Sequence, residues 1–149
     1  MEKLTIVWEK PFKFSERIPP NLKGAIGVYI LEVGSEICYV GKAEEQGGFR
    51  RAKDHLRGQM DWAGRCVLEK TNAYDKDEIN IWPGWIEEGE NKLLVDEAEK
   101  LLTWFCNPNC NRTNRGKYNG GSLRIKNDGD LPPGFPLEIQ SPSEELKQK

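Results

Sequence analysis

The sequence predicts an α+β domain: a small antiparallel sheet of about three strands, flanked by helices. Two observations carry that prediction. A pair of β-rich runs, residues 26–33 and 36–40, sits around Gly34-Ser35 in the pattern of a hairpin, and the stretches with helical spacing come after it rather than alternating with strands. A chain of 149 residues can bury one core, and a 31% charged share with a mean hydropathy of -0.71 excludes fibrous and membrane-spanning classes.

Element by element, residues 4–14 alternate loosely and carry Trp8, Phe12 and Phe14, so 1–20 reads as an N-terminal arm or edge strand ended by Pro19-Pro20. The hairpin follows. Phe49, Ala52, Leu56 and Met60 recur at helical spacing and predict a helix over 49–59, with Arg50, Arg51, Lys53 and Arg57 on its other faces. Residues 61–77 give no clear signal. Ile79, Ile81, Trp82, Trp85 and Ile86 supply strand material interrupted by Pro83-Gly84. Leu94, Leu101, Leu102 and Phe105 predict a second helix over 91–106, stopped by Asn107-Pro108. The domain thus spans 21–127, and residues 128–149, with Pro132, Pro133, Pro136, Pro142 and a charged end, read as a tail that builds no core.

The net charge of -2 conceals segregation. Residues 107–127 hold Arg112, Arg115, Lys117, Arg124 and Lys126 and no acid, whereas residues 75–100 hold nine acids against three lysines. A basic stretch interleaved with Asn, Gly and Tyr118 is of the type that contacts a nucleic-acid backbone. The first ten residues contain no apolar export segment, so a cytoplasmic location is expected, and with it reduced thiols at Cys38, Cys66, Cys106 and Cys110. Cys106 and Cys110, with the lone His55, leave a zinc or redox site as a minor alternative.

Gly27-Val28-Tyr29, a nine-residue gap and Tyr39-Val40-Gly41-Lys42 resemble the paired signature of the GIY-YIG nuclease superfamily. The order of the remaining elements strengthens the resemblance: Arg51 and His55 at i and i+4, Glu99 in the second long helix, and a run from Glu99 to Asn111 that ends in the family's Pro and Asn. It spans about residues 24–114. It implies a GIY-YIG-like fold and a metal-dependent endonuclease acting on phosphodiester bonds, with Tyr29, Tyr39, Arg51, His55, Glu99 and Asn111 around one site. The expected substrate is DNA in preference to RNA, and no membrane is involved.

The chemistry of these side chains agrees with that expectation. Hydrolysis of a phosphodiester needs a base for water, a cation for the non-bridging oxygens and an anchor for a metal ion. Arg51 offers a planar charged fork; the adjacent Arg50 competes for that role. Glu99 offers a hard ligand to one Mg²⁺ or Mn²⁺, with Glu97 the competing carboxylate. Either Tyr29 or Tyr39 is the expected base, provided positive charge from Arg51, Lys42 or the metal lowers its pKa. Lys42, Arg50, Arg112, Arg115 and Lys117 are the expected phosphate contacts. A two-residue turn at Gly34-Ser35 would send Tyr29 and Tyr39 to opposite faces. The expected turn therefore has an odd residue count centred on Gly34, a three-residue turn with a bulge, which sets Tyr29 opposite Tyr39 on one face. The rival reading is a catalytically inactive nucleic-acid-binding module on the same fold.

Overall fold

The computed structural model describes residues 1–44, 48–86 and 92–143. Residues 45–47, the acids Glu87, Glu88 and Glu90, the expected helix start at Asn91 and the charged end at 144–149 lie outside the described residues. Six strands, β1 (Glu2–Trp8), β2 (Gly27–Val33), β3 (Glu36–Ala43), β4 (Asn80–Ile86), β5 (Leu123–Gly129) and β6 (Glu138–Gln140), form one mixed sheet in the order β3-β2-β4-β1-β5-β6. Three α-helices accompany them among the described residues: α1 (Arg51–Asp54), α2 (Trp62–Leu68) and α3 (Lys92–Cys106).

The expected three-stranded antiparallel sheet is therefore corrected to six strands with one parallel pair, β1 against β5. The additional strands come from both ends of the chain. Glu2–Trp8, expected as an arm or edge strand, is an interior strand, because Leu4, Ile6 and Trp8 all point into the core. Leu123, Ile125 and Asn127 are buried in alternation with Arg124 and Lys126, so part of the basic stretch is a strand whose period of two is hidden behind its charge count. The Pro-rich tail also contributes to the core: Phe135 and Ile139 are buried and β6 pairs with β5.

Pro83 interrupts nothing. Its carbonyl accepts from Glu9 N at 3.0 Å, just past the last β1–β4 pair at Trp8–Gly84, and the proline lacks only the N–H on that same side, so the pairing of β4 with β2 is untouched.

The hairpin turn corrects a second expectation. Gly34 and Ser35 both have positive φ, 55° and 70°, and close a two-residue turn, with Val33 paired to Glu36 and Glu32 to Ile37. A bulge at Cys38 then shifts the register, so that Leu31 pairs with Tyr39 and Tyr29 with Gly41. Tyr29 and Tyr39 are diagonal neighbours on one face, rather than directly opposite; their ring centroids are 6.2 Å apart.

Each sheet face carries a core. α3 covers Leu4, Ile6, Val28, Ile30 and Val40 with Val95, Ala98, Leu101 and Leu102. The other face holds Tyr29, Leu31, Phe49, Leu56, Val67, Ile79 and Ile81. The expected helix over 49–59 is shorter: a 3-10 turn at Gly48–Arg50 leads into the four residues of α1, and Gly58 (φ 47°) prevents continuation. His55 retains helical dihedrals (φ -58°, ψ -25°), so Arg51 and His55 keep their i, i+4 relation.

Candidate active site

β3 is an edge strand, so helices covering opposite faces of the sheet meet around its outer margin. A hollow of about 330 Å³ opens there, and its lining includes Tyr39 and His55 from one face and Glu99 and Thr103 of α3 from the other. Tyr29 is only 2% exposed and joins the hollow through its hydroxyl, beside the lining residue His55. Its hydroxyl sits 2.6 Å from His55 Nε2, and the His55 ring packs against the Tyr39 ring at 4.8 Å between centroids. His55 Nδ1 is in turn 2.6 Å from Asp61 Oδ2. Asp61 was not singled out from the sequence. Its signal was an Asp before the amphipathic turn 62–68, the chemistry of a helix N-cap.

The glycines of the paired motif have local structural causes. A β-carbon on Gly41 would collide with the Tyr29 ring, and one on Gly27 would collide with the Gly84 carbonyl in β4. Neither simply clears a path for substrate. Gly41 makes room for the side chain of its own cross-strand partner.

Burial pushes the Tyr29 phenol well above its ordinary value, assisted by Tyr39, Glu99 and Asp61 and opposed by Arg51. Burial likewise pushes Tyr39 up to about 12, with Glu99 and Asp61 adding and Arg51 subtracting. The lowered phenol pKa expected from nearby cations is thus not present in the free protein. Lys42 does not supply it, because its ammonium bonds Asp96 and lies 3.3 Å from Glu44. Those partners raise the Lys42 pKa, Asp96 first. Burial also drives the Glu99 carboxyl up to about 7; Lys42 pulls it down while Asp96 and Glu44 push it higher. Glu97, the competing carboxylate, instead accepts from Gly121 N at 2.6 Å, away from the hollow.

Asn111 lines the hollow, but both ends of its amide are engaged. Oδ1 accepts from Val40 N at 2.9 Å and Nδ2 donates to Val40 O at 2.8 Å, so the side chain completes the open edge of β3 like one residue of an additional strand. Cys110 N donates to Cys38 O at 3.0 Å beside it. Cys110 is joined to Cys66 of α2 by a disulfide, which corrects the expectation of four reduced thiols and removes Cys110 from any zinc site with Cys106. The pairing was illegible because 44 residues separate the two cysteines, and only the packing of α2 beside the 107–111 turn brings their Cα atoms to 5.6 Å.

Of the expected phosphate contacts, Arg112 lies at the hollow, its guanidinium 4.3 Å from the ring centroid of Trp62, which is 45% exposed and also lines the hollow. Arg115 bonds the side chains of Asn107 and Asn109, and Arg50, Arg51 and Lys117 are exposed. Arg124 and Lys126 belong to β5, four strands from β3, and take no part in the site. Among the described residues no three His, Cys, Asp or Glu side chains group to hold a metal. Glu99 fits the sparser alternative, a half-buried carboxylate whose charged form burial disfavours, since Mg²⁺ takes one or two carboxylates and keeps its waters.

No family model matches the chain, and no curated protein and no solved structure matches it either.

Proposed function

We propose that the protein is a GIY-YIG-type endonuclease that hydrolyses phosphodiester bonds in DNA. The observation that carries this reading is the convergence of Tyr39, His55 and Glu99, from β3, the α1 turn and α3, on one hollow, with Tyr29 and the charge of Arg51 coupled to it. These are chemically distinct groups from distant segments, and a fold that needed only a core would not place a half-buried carboxylate among phenols whose ionisation it opposes.

In this reading Arg51 binds the non-bridging oxygens of the scissile phosphate as a bidentate fork. Tyr39, Tyr29 and His55 orient the attacking water and receive its proton. Glu99 would hold Mg²⁺ or Mn²⁺, which supplies charge neutralisation at the leaving oxygen. Trp62 and Arg112 form an aromatic and cationic wall against which a nucleotide can stack.

Supercoiled plasmid incubated with Mg²⁺ tests the proposal. Wild type converts it to open circle, whereas Tyr39→Phe, Arg51→Ala and Glu99→Ala, each checked for folding by circular dichroism, lose at least about 100-fold in rate. DNA binding without cleavage in wild type contradicts the proposal and favours the inactive binding module.

A further inference from the structure

Asp61 has two roles at once. Its Oδ1 accepts from Gly64 N at 2.7 Å, capping α2, while its Oδ2 faces His55 Nδ1 at 2.6 Å. Gly64 makes the second role possible, because a β-carbon there would collide with the His55 carbonyl and push α2 away from the imidazole. The cap therefore pins the carboxylate, and the close approach of α2 aims it.

We propose that Asp61 is a positioning residue of the nuclease centre: it fixes His55 as the Nδ1–H tautomer, so that Nε2 is the acceptor for the Tyr29 proton. The inference rests on the nuclease reading above and adds to it a route for the proton. An ionised carboxylate only accepts, so the proton between Asp61 and His55 is on Nδ1. Nε2 is then a lone pair, and the Tyr29 hydroxyl donates to it. Both imidazole nitrogens are engaged, and the water proton reaches the ring only through the Tyr29 oxygen, whose lone pairs stay free of His55.

The step balances as follows. The Tyr29 O–H proton moves to His55 Nε2 as the Tyr29 oxygen takes a proton from the attacking water. The water oxygen's electron pair forms the new P–O bond, the ester P–O bond breaks, and the leaving oxygen keeps that pair and takes a proton from solvent. The imidazolium is held against the Asp61 carboxylate until its proton returns through Tyr29 to solvent. Burial opposes a free Tyr29 phenolate, and this relay never requires one.

His55 is the only histidine of the chain, so its ring nitrogens can be observed without assignment. The experiment records nitrogen-15 spectra of the neutral imidazole in wild type and in Asp61→Ser, which keeps an N-cap oxygen but cannot reach His55. It pairs them with steady-state cleavage of plasmid in Mg²⁺ and with thermal melting. The expected result is an Nδ1–H signature in wild type that gives way to Nε2–H in Asp61→Ser, a fall of about 100-fold in kcat with KM unchanged, and little change in Tm. An unchanged tautomer, or a changed tautomer with unchanged kcat, overturns the proposal. Should wild type not cleave at all, the nuclease reading fails and the relay with it, while a tautomer that responds to Asp61→Ser still shows that Asp61 governs His55.

Discussion

The ring of Tyr29 occupies the space that a β-carbon on Gly41 would fill. The two residues are cross-strand partners, and the missing side chain on β3 lets the phenol cross the edge strand and place its hydroxyl at His55. Gly41→Ala is therefore expected to displace the ring, cost about 1–3 kcal/mol by overpacking, and reduce cleavage even though Gly41 has no side chain of its own to bring to the site. Denaturant melts and cleavage rates measured on the same preparation check both effects. A variant with wild-type stability would show that the close approach carries no constraint.

In the proposed reading, Glu99 costs stability where it would hold the metal ion. Its folded carboxyl is raised to about 7, above the ordinary unfolded value, so its ionisation destabilises the fold as pH rises from about 4.5 through about 7. In EDTA at neutral pH, Glu99→Gln is expected to raise stability by about 1 kcal/mol, discounting for solvent at the hollow, and in Mg²⁺ to abolish cleavage. Adding Mg²⁺ should raise the Tm of wild type and leave that of Glu99→Gln unchanged.

The phenols make an alkaline prediction of definite sign. Tyr39 and Tyr118 are pushed to about 12 by burial and Tyr29 is also raised, so the folded state keeps protons that the unfolded chain releases near 10. That contribution is complete below about pH 10 and is lost as pH climbs towards 12. Absorbance titration should ionise these three phenols only as the protein unfolds; reversible ionisation in the folded state near 10 would contradict their burial.

Asn111 closes the sheet. Replacing it by Ala leaves Val40 N and O, both buried against it, without partners, at a cost of about 2–4 kcal/mol. Hydrogen exchange at the Val40 amide should accelerate markedly in Asn111→Ala. An unchanged rate would mean that the edge is protected by something other than this clasp.

How much of this was legible in the sequence depended on whether the signal was local. The hairpin, the long helix and the shared face of Arg51 and His55 follow from spacing alone. The sheet was underestimated because Glu2–Trp8 pairs in parallel with Leu123–Gly129, more than a hundred residues away, and because Arg124 and Lys126 mask the buried alternation of Leu123 and Ile125. The hairpin turn was misjudged for a related reason: a bulge at Cys38 shifts the register after a two-residue turn, and no residue type there announces it. Asp61 was missed because its significance lies in the packing of α2 on His55, which Gly64 permits and no motif encodes.

The central claim is that the groups around the β3 edge form a hydrolytic centre. Its most direct test is the time course of a supercoiled plasmid with purified wild-type protein in Mg²⁺ or Mn²⁺, quenched at intervals with EDTA. The predicted result is open-circular product that accumulates with time, stops on chelation and is absent with Glu99→Gln. Plasmid that stays supercoiled with both ions while the protein retards it in a gel would contradict the account.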